Sequence, residues 1–150
     1  MRIKFDITGE VLVSALKDKL DLIRNPKPIL RIVAFDVLSM VTERIHEEGK
    51  AADGNQIGTY NNNYLKLRIK AYKRTADKKV IVSLTRQLEN DWAVIETTQG
   101  WGIGFKNILN VNKAHWVEEH FNKVIFDLTT EEREYAAQRA NEILRDELNK

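Results

Sequence analysis

Ile3, Phe5 and Ile7 alternate with Arg2, Lys4 and Asp6, the two-residue period of a short strand. Leu12, Ala15, Leu16, Leu20 and Ile23 then recur at spacings of three and four, which places them on one face of a helix. Asn25-Pro26-Lys27-Pro28 ends that helix, because proline lacks an N–H and its ring clashes with the preceding turn. A second amphipathic helix is predicted from about Pro28 to Glu48, with Leu30, Val33, Ala34, Val37, Val41 and Ile45 as its apolar stripe and Gly49 suited to its C-terminal cap. From Gly49 to Asn63 the pattern disappears, and Gly49, Gly54, Gly58 and the run Asn61-Asn62-Asn63 predict a long polar loop. Loops of that length in compact domains are usually functional or mobile.

The next stretch fits two periods. Leu65, Leu67, Ile69 and Ala71 alternate with Lys66, Arg68 and Lys70 as in a strand, while Tyr60, Tyr64, Leu67 and Ala71 fit a helical stripe, so 64–72 is open between the two. The clearest β pattern follows, in Val80, Val82 and Leu84, then Trp92 and Val94, then Trp101, Ile103 and Phe105. Thr98-Gln99-Gly100 suits a turn between the last two, and a helical turn carrying Leu88 inward is expected between the first two. A helix with Ala114, Val117 and Phe121 is expected to start near Asn110 or Asn112, either of which suits its cap. Thr129 followed by Glu132 makes a capping box for a final helix striped by Ala136, Ala140, Ile143, Leu144 and Leu148. The pattern as a whole predicts one α+β domain over residues 1–150. A small antiparallel sheet of three or four strands is packed by two N-terminal helices and one or two C-terminal helices.

Composition removes several classes of function. The chain has 150 residues, 43% hydrophobic and 31% charged, as a globular domain does. No apolar run approaches the roughly 18–20 residues of a membrane span. Met1 to Glu10 lacks the basic-then-apolar order of a signal peptide, so the protein is expected to stay in the cytoplasm where it is made. Absence of cysteine excludes disulfides, thiolate nucleophiles and cysteine-held metal centres. His115, Glu118, Glu119 and His120 invite a metal-site reading, but histidines five apart lie about 140° round a helix, whereas helical zinc motifs hold them four apart on one face. The glycines of Trp101-Gly102-Ile103-Gly104-Phe105 interleave with inward-pointing residues inside a strand, which suits close packing better than a phosphate loop. His46, at the end of the second helix, is expected to meet the carbonyl end of the helix dipole. No Ser/His/Asp arrangement is visible, and three scattered histidines cannot be paired with a nucleophile.

Charge is informative only when resolved along the chain. Between Asn61 and Val80 there are seven bases (Lys66, Arg68, Lys70, Lys73, Arg74, Lys78, Lys79) against Asp77, whereas from Ala114 onward five bases face nine acids. A basic strip beside Tyr60, Tyr64 and Tyr72 suits nucleic-acid binding, with phosphates on the bases and nucleobases on the rings. It equally suits a solvated face, or contact with an acidic protein surface, since a charge-split molecule favours head-to-tail association.

The order of motifs resembles phage virion morphogenesis (tail completion) proteins. Two amphipathic helices lead to Gly58-Thr59-Tyr60, Tyr64 and the basic run Lys66 to Lys73; then come Val82-Ser83-Leu84-Thr85 with Leu88 and Trp92, and Trp101-Gly102-Ile103-Gly104-Phe105 with Asn107 and Ala114. The resemblance covers about Gly49 to Glu119. Arg86 stands where the family usually has glycine, and the stretch around His115 lacks the family's closing His-Gln-x-Gly form. The resemblance implies a virion component assembled in the host cytoplasm, acting as a ring of copies at the tail end or head–tail junction. Its partners would be other copies and tail, connector or portal proteins, and the resemblance implies neither catalysis nor a cofactor. Tyr60, Tyr64, Lys66, Arg68 and Lys70 are then the expected contacts to a neighbouring subunit. The alternative is a nucleic-acid-binding module using segment 60–80.

Overall fold

A computed structural model describes residues 24–150. The strand expected at Arg2–Ile7 and the helix expected around Leu12–Ile23 lie outside the described residues. Helix α1 (Lys27–His46) begins at the two prolines, Pro26 as its N-cap and Pro28 in its first turn, where a missing N–H costs nothing. It buries Leu30, Val33, Ala34, Val37, Val41 and Ile45, the stripe read from the sequence. Its C-cap is Glu47; Gly49 comes two residues later at φ +66°.

The sheet among the described residues is one antiparallel hairpin of β1 (Trp92–Glu96) and β2 (Trp101–Phe105). Its register pairs Trp92 with Phe105, Val94 with Ile103 and Glu96 with Trp101. The four-residue turn is closed by Thr97 N–H donating to the Gly100 carbonyl at 2.8 Å. The fold is therefore α+β with a small antiparallel sheet. The strand expected at Val80–Leu84 does not form: Val82 adopts φ +47°, a left-handed conformation that interrupts an extended run.

Helix α2 (Asn62–Tyr72) settles the ambiguous stretch as helical. The short α3 (Gln87–Asp91) leads into β1, and α4 (Ile108–Phe121) follows β2. The N-cap of α4 is Asn107, whose side chain accepts from Leu109 N–H, and not Asn110 or Asn112. Helix α5 (Thr130–Leu148) opens with the expected capping box of Thr129 and Glu132.

Helix α1 is the central element, packed against α5 on one side and the hairpin on another. Trp92, Phe105 and Phe126 form an aromatic cluster beside it, with ring centroids 4.7–5.8 Å apart. Buried Arg44 joins the layers. It donates to Glu132 at 2.7 Å and to the carbonyls of Lys50, Ile125 and Asp127 at 3.1, 3.1 and 2.7 Å. Glu132 in turn accepts from Thr129 N–H, so one carboxylate both caps α5 and neutralises a core cation. Residues 49–61 have no helix or strand, yet they are anchored. Ala51, Ile57 and Tyr60 are buried, and backbone bonds run from Ala52 to Val124, Tyr60 to Lys78 and Val80 to Gly58. The expected loop is thus part of the packed structure, with its polar residues outward.

Candidate functional site

A cleft of about 790 Å³ opens between α2, the segment around 80–88 and α4. Helix α2 forms one wall because Asn61 caps it, accepting from Tyr64 N–H at 2.8 Å, and Lys73 ends it in a left-handed C-cap. Helical phase then sorts the basic run. Leu65 and Arg68, three apart, turn inward and are buried, while Lys66 and Lys70, four apart, lie exposed on the outer face. The structure therefore divides the five expected contact residues: Tyr60, Tyr64 and Arg68 line the cleft, and the two lysines do not.

Tyr60 is buried, and its hydroxyl accepts from Ile81 N–H at 3.2 Å. Burial raises its phenol pKa above the ordinary value of 10.0. The Tyr64 ring lies 5.3 Å from it, tilted by 56°. Above both stands the Arg68 guanidinium, 4.2 Å from the Tyr60 centroid and 5.9 Å from that of Tyr64. Arg68 is 2% exposed, its Nε has no hydrogen-bond partner, and no carboxylate pairs with it among the described residues. A desolvated cation–π contact returns about 2 kcal/mol, less than the several kcal/mol lost on burying an ion.

The remaining lining agrees with that sign. It includes Arg86, Lys113 and His120 and no aspartate or glutamate, while Val80, Val82, Leu84, Leu88, Val117 and Phe121 make its surface mainly apolar. Trp116, also in the lining, is 65% exposed. With Ile108, Leu109 and Val124 it belongs to a set of large apolar side chains left in solvent on and after α4.

Segment 81–86 is held by side chains in place of a ladder. Arg74 donates through Nε and Nη2 to the Leu84 carbonyl at 3.1 and 2.9 Å, and through Nη2 to Ser83 Oγ at 3.1 Å. Ser83 Oγ donates to Glu89 at 2.8 Å. His46 Nδ1 lies 3.1 Å from the Ile81 carbonyl and 3.9 Å from Glu89. The expected role of His46 at its own helix end is thus corrected: it is buried and serves another segment's carbonyl. Burial holds its imidazole pKa below the ordinary 6.5, with Glu89 opposing that shift.

His115 and His120 are exposed, and His120 lies edge-on to Phe121 at 4.7 Å. Glu118 accepts from the N–H groups of Ile125 and Phe126 at 2.8 and 3.0 Å, closing the turn after α4. Among the described residues no group of three or more histidines and carboxylates is placed to hold a metal ion. Gly104 is buried in β2, where an added Cβ would stand 3.3 Å from Ile95 Cδ1, in keeping with a packing role for the glycines. No helix among the described residues is long and apolar enough to cross a membrane.

The basic run pointed to this region but not to the inward turn of Arg68. The available signal was its place three residues after Leu65, on the helical reading of a stretch that also reads as a strand. No protein-family model, curated protein or solved structure matches this chain.

Proposed function

We propose that the chain is a structural virion subunit of a tailed phage that acts in tail completion or head–tail joining, assembled as one copy of a ring. The supporting observation is a surface left unfinished in the single subunit. Exposed Trp116, Ile108 and Leu109 stand on the helix that borders a cleft whose buried Arg68 has no carboxylate partner among the described residues. Aromatic side chains of this kind become anchors when another protein covers them. A ring requires a head-to-tail interface that closes by rotation, and the basic outer face of α2 with the acid-rich residues beyond Ala114 supply unlike edges for one. In this reading Lys66 and Lys70 meet a neighbouring copy directly, while Tyr60, Tyr64 and Arg68 act from the cleft wall. Tail, connector and portal proteins are the other partners. The chemistry of the subunit is binding, with no catalytic step and no cofactor.

Nucleic-acid binding through segment 60–80 is the second reading, supported by exposed Lys66, Lys70 and Lys73. It is the weaker of the two, because the Tyr60 ring lies under Arg68 and does not present a face for base stacking.

Sedimentation of the purified chain, alone and mixed with the tail-tube and portal proteins encoded beside it, separates the readings. Assembly predicts self-association or co-sedimentation, and a loss of tail joining in a Trp116→Asp variant and in a Lys66→Glu/Lys70→Glu variant. Unchanged yields of tailed particles with both variants would overturn it. Tight DNA binding that falls steeply with salt, without self-association, would favour the second reading.

A further inference from the structure

Arg68 is a buried cation with no carboxylate partner among the described residues, set in the wall of a cleft. We infer that this cleft is a docking groove for an extended peptide segment of a neighbouring virion protein, and that an aspartate or glutamate side chain of that segment seats on Arg68. The source of the peptide rests on the assembly reading, whereas the chemistry of the groove does not.

Three features select this occupant. Among the described residues the lining has no acid; Glu89, behind Ser83, is taken up by Ser83 and Arg86, and Lys113 favours the approach of a carboxylate. Guanidinium and carboxylate match as a planar pair, and the Nε that has no acceptor belongs to that fork. Around Arg68 the walls are apolar, formed by Leu84, Leu88, Val117 and Phe121, so the anion must be carried between apolar groups. That excludes a hydrated phosphate backbone as the better fit and suits an acidic residue flanked by apolar or aromatic ones.

The second feature is the main chain. Residues 81–86 run along the cleft without a strand partner among the described residues; the main-chain groups of Ile81 and the Leu84 carbonyl are taken by Tyr60, His46 and Arg74, so a bound segment pairs beside the remaining ones. Val82 sits there at φ +47°, a conformation that a β-branched residue holds only under constraint from its surroundings. The third feature is Trp116, exposed at the cleft and placed to close over a bound segment.

The test is selection from a display library of random linear peptides against the immobilised full chain, followed by titration with a synthetic peptide of the enriched sequence. The expected peptides carry an aspartate or glutamate between apolar or aromatic residues. Replacing that acid by its amide should weaken binding by about thirtyfold or more, as removal of one partner from a buried charge pair does. Arg68→Met should cause a similar loss, and the amide peptide should lose little further on that variant. No enrichment above the display scaffold, enriched peptides without a carboxylate, or equal affinity for acid and amide would overturn the inference. So would displacement of the peptide by an oligothymidylate that binds more tightly, which would assign the groove to nucleic acid. The acid-to-amide comparison leaves the protein untouched and so decides the matter even if Arg68→Met does not fold. A chain that selects acidic peptides yet neither self-associates nor supports tail joining would refute the assembly role and leave the groove standing.

Discussion

His46, Arg44 and Arg68 are three cationic or titratable side chains withdrawn from water, and each is settled differently. His46 is kept neutral. Its native pKa is depressed by burial, so the unfolded chain takes up a proton below about 6.5 while the folded chain does not. The stability this contributes is complete above that value and is lost as pH falls toward the native pKa. The melting temperature should therefore drop between about pH 7 and about pH 5, and a His46→Gln variant should drop less over the same window. Equal slopes in differential scanning calorimetry would refute this. Arg44 is matched by a full set of acceptors. Arg44→Met leaves Glu132 buried without its cation and should cost about 3–5 kcal/mol in urea unfolding. Arg68 has aromatic faces but no acceptor for its Nε among the described residues, whereas Arg44 is a structural joint between layers.

At the scale of elements, caps decide where helices start and which way they face. Asn61 caps α2 and thereby sets the phase that turns Arg68 inward and Lys66 and Lys70 outward. Asn61→Ala should cost about 1 kcal/mol, with a local rise in amide exchange across Asn62–Tyr72 as the readout. The cap of α5 is tied to the core through Glu132, so Thr129→Ala should cost about 2 kcal/mol, the upper part of the range for caps. Gly49 has a different constraint: at φ +66° an added Cβ would stand 2.3 Å from the Val80 carbonyl oxygen. Gly49→Ala must shift the 79–80 backbone that pairs with Gly58 and Thr59, and should destabilise by about 1–3 kcal/mol. A thermal melt within a degree of the parent would show that the turn can relax.

For the whole molecule, three elements converge on one cleft: α2 through its cap, segment 80–88 through Arg74 and His46, and α4 through Val117 and Phe121. Helix α2 belongs to the basic middle of the chain, and α4 reaches into its acidic end. The cleft is thus bordered by both charge regimes, and its lining holds Arg68, Arg86 and Lys113 with no carboxylate among the described residues.

What the sequence by itself determined is what local periodicity and capping chemistry control. The α1 stripe, the β1–β2 hairpin and the Thr129–Glu132 box follow from residues within one or two turns of each other, and all three are present. Tertiary structure decided the rest, because the deciding forces come from residues distant in sequence. Residues 64–72 carried two periods, and Asn61 with the packing of Leu65 chose the helix. Val80–Leu84 alternates like a strand, but the side chains of Arg74 and His46 take the carbonyls of Leu84 and Ile81, and Val82 turns left-handed. The basic strip lies partly in the cleft wall; that its Arg68 is buried, with no carboxylate partner among the described residues, is a property of the cleft, which exists only once α2, α4 and segment 80–88 are brought together.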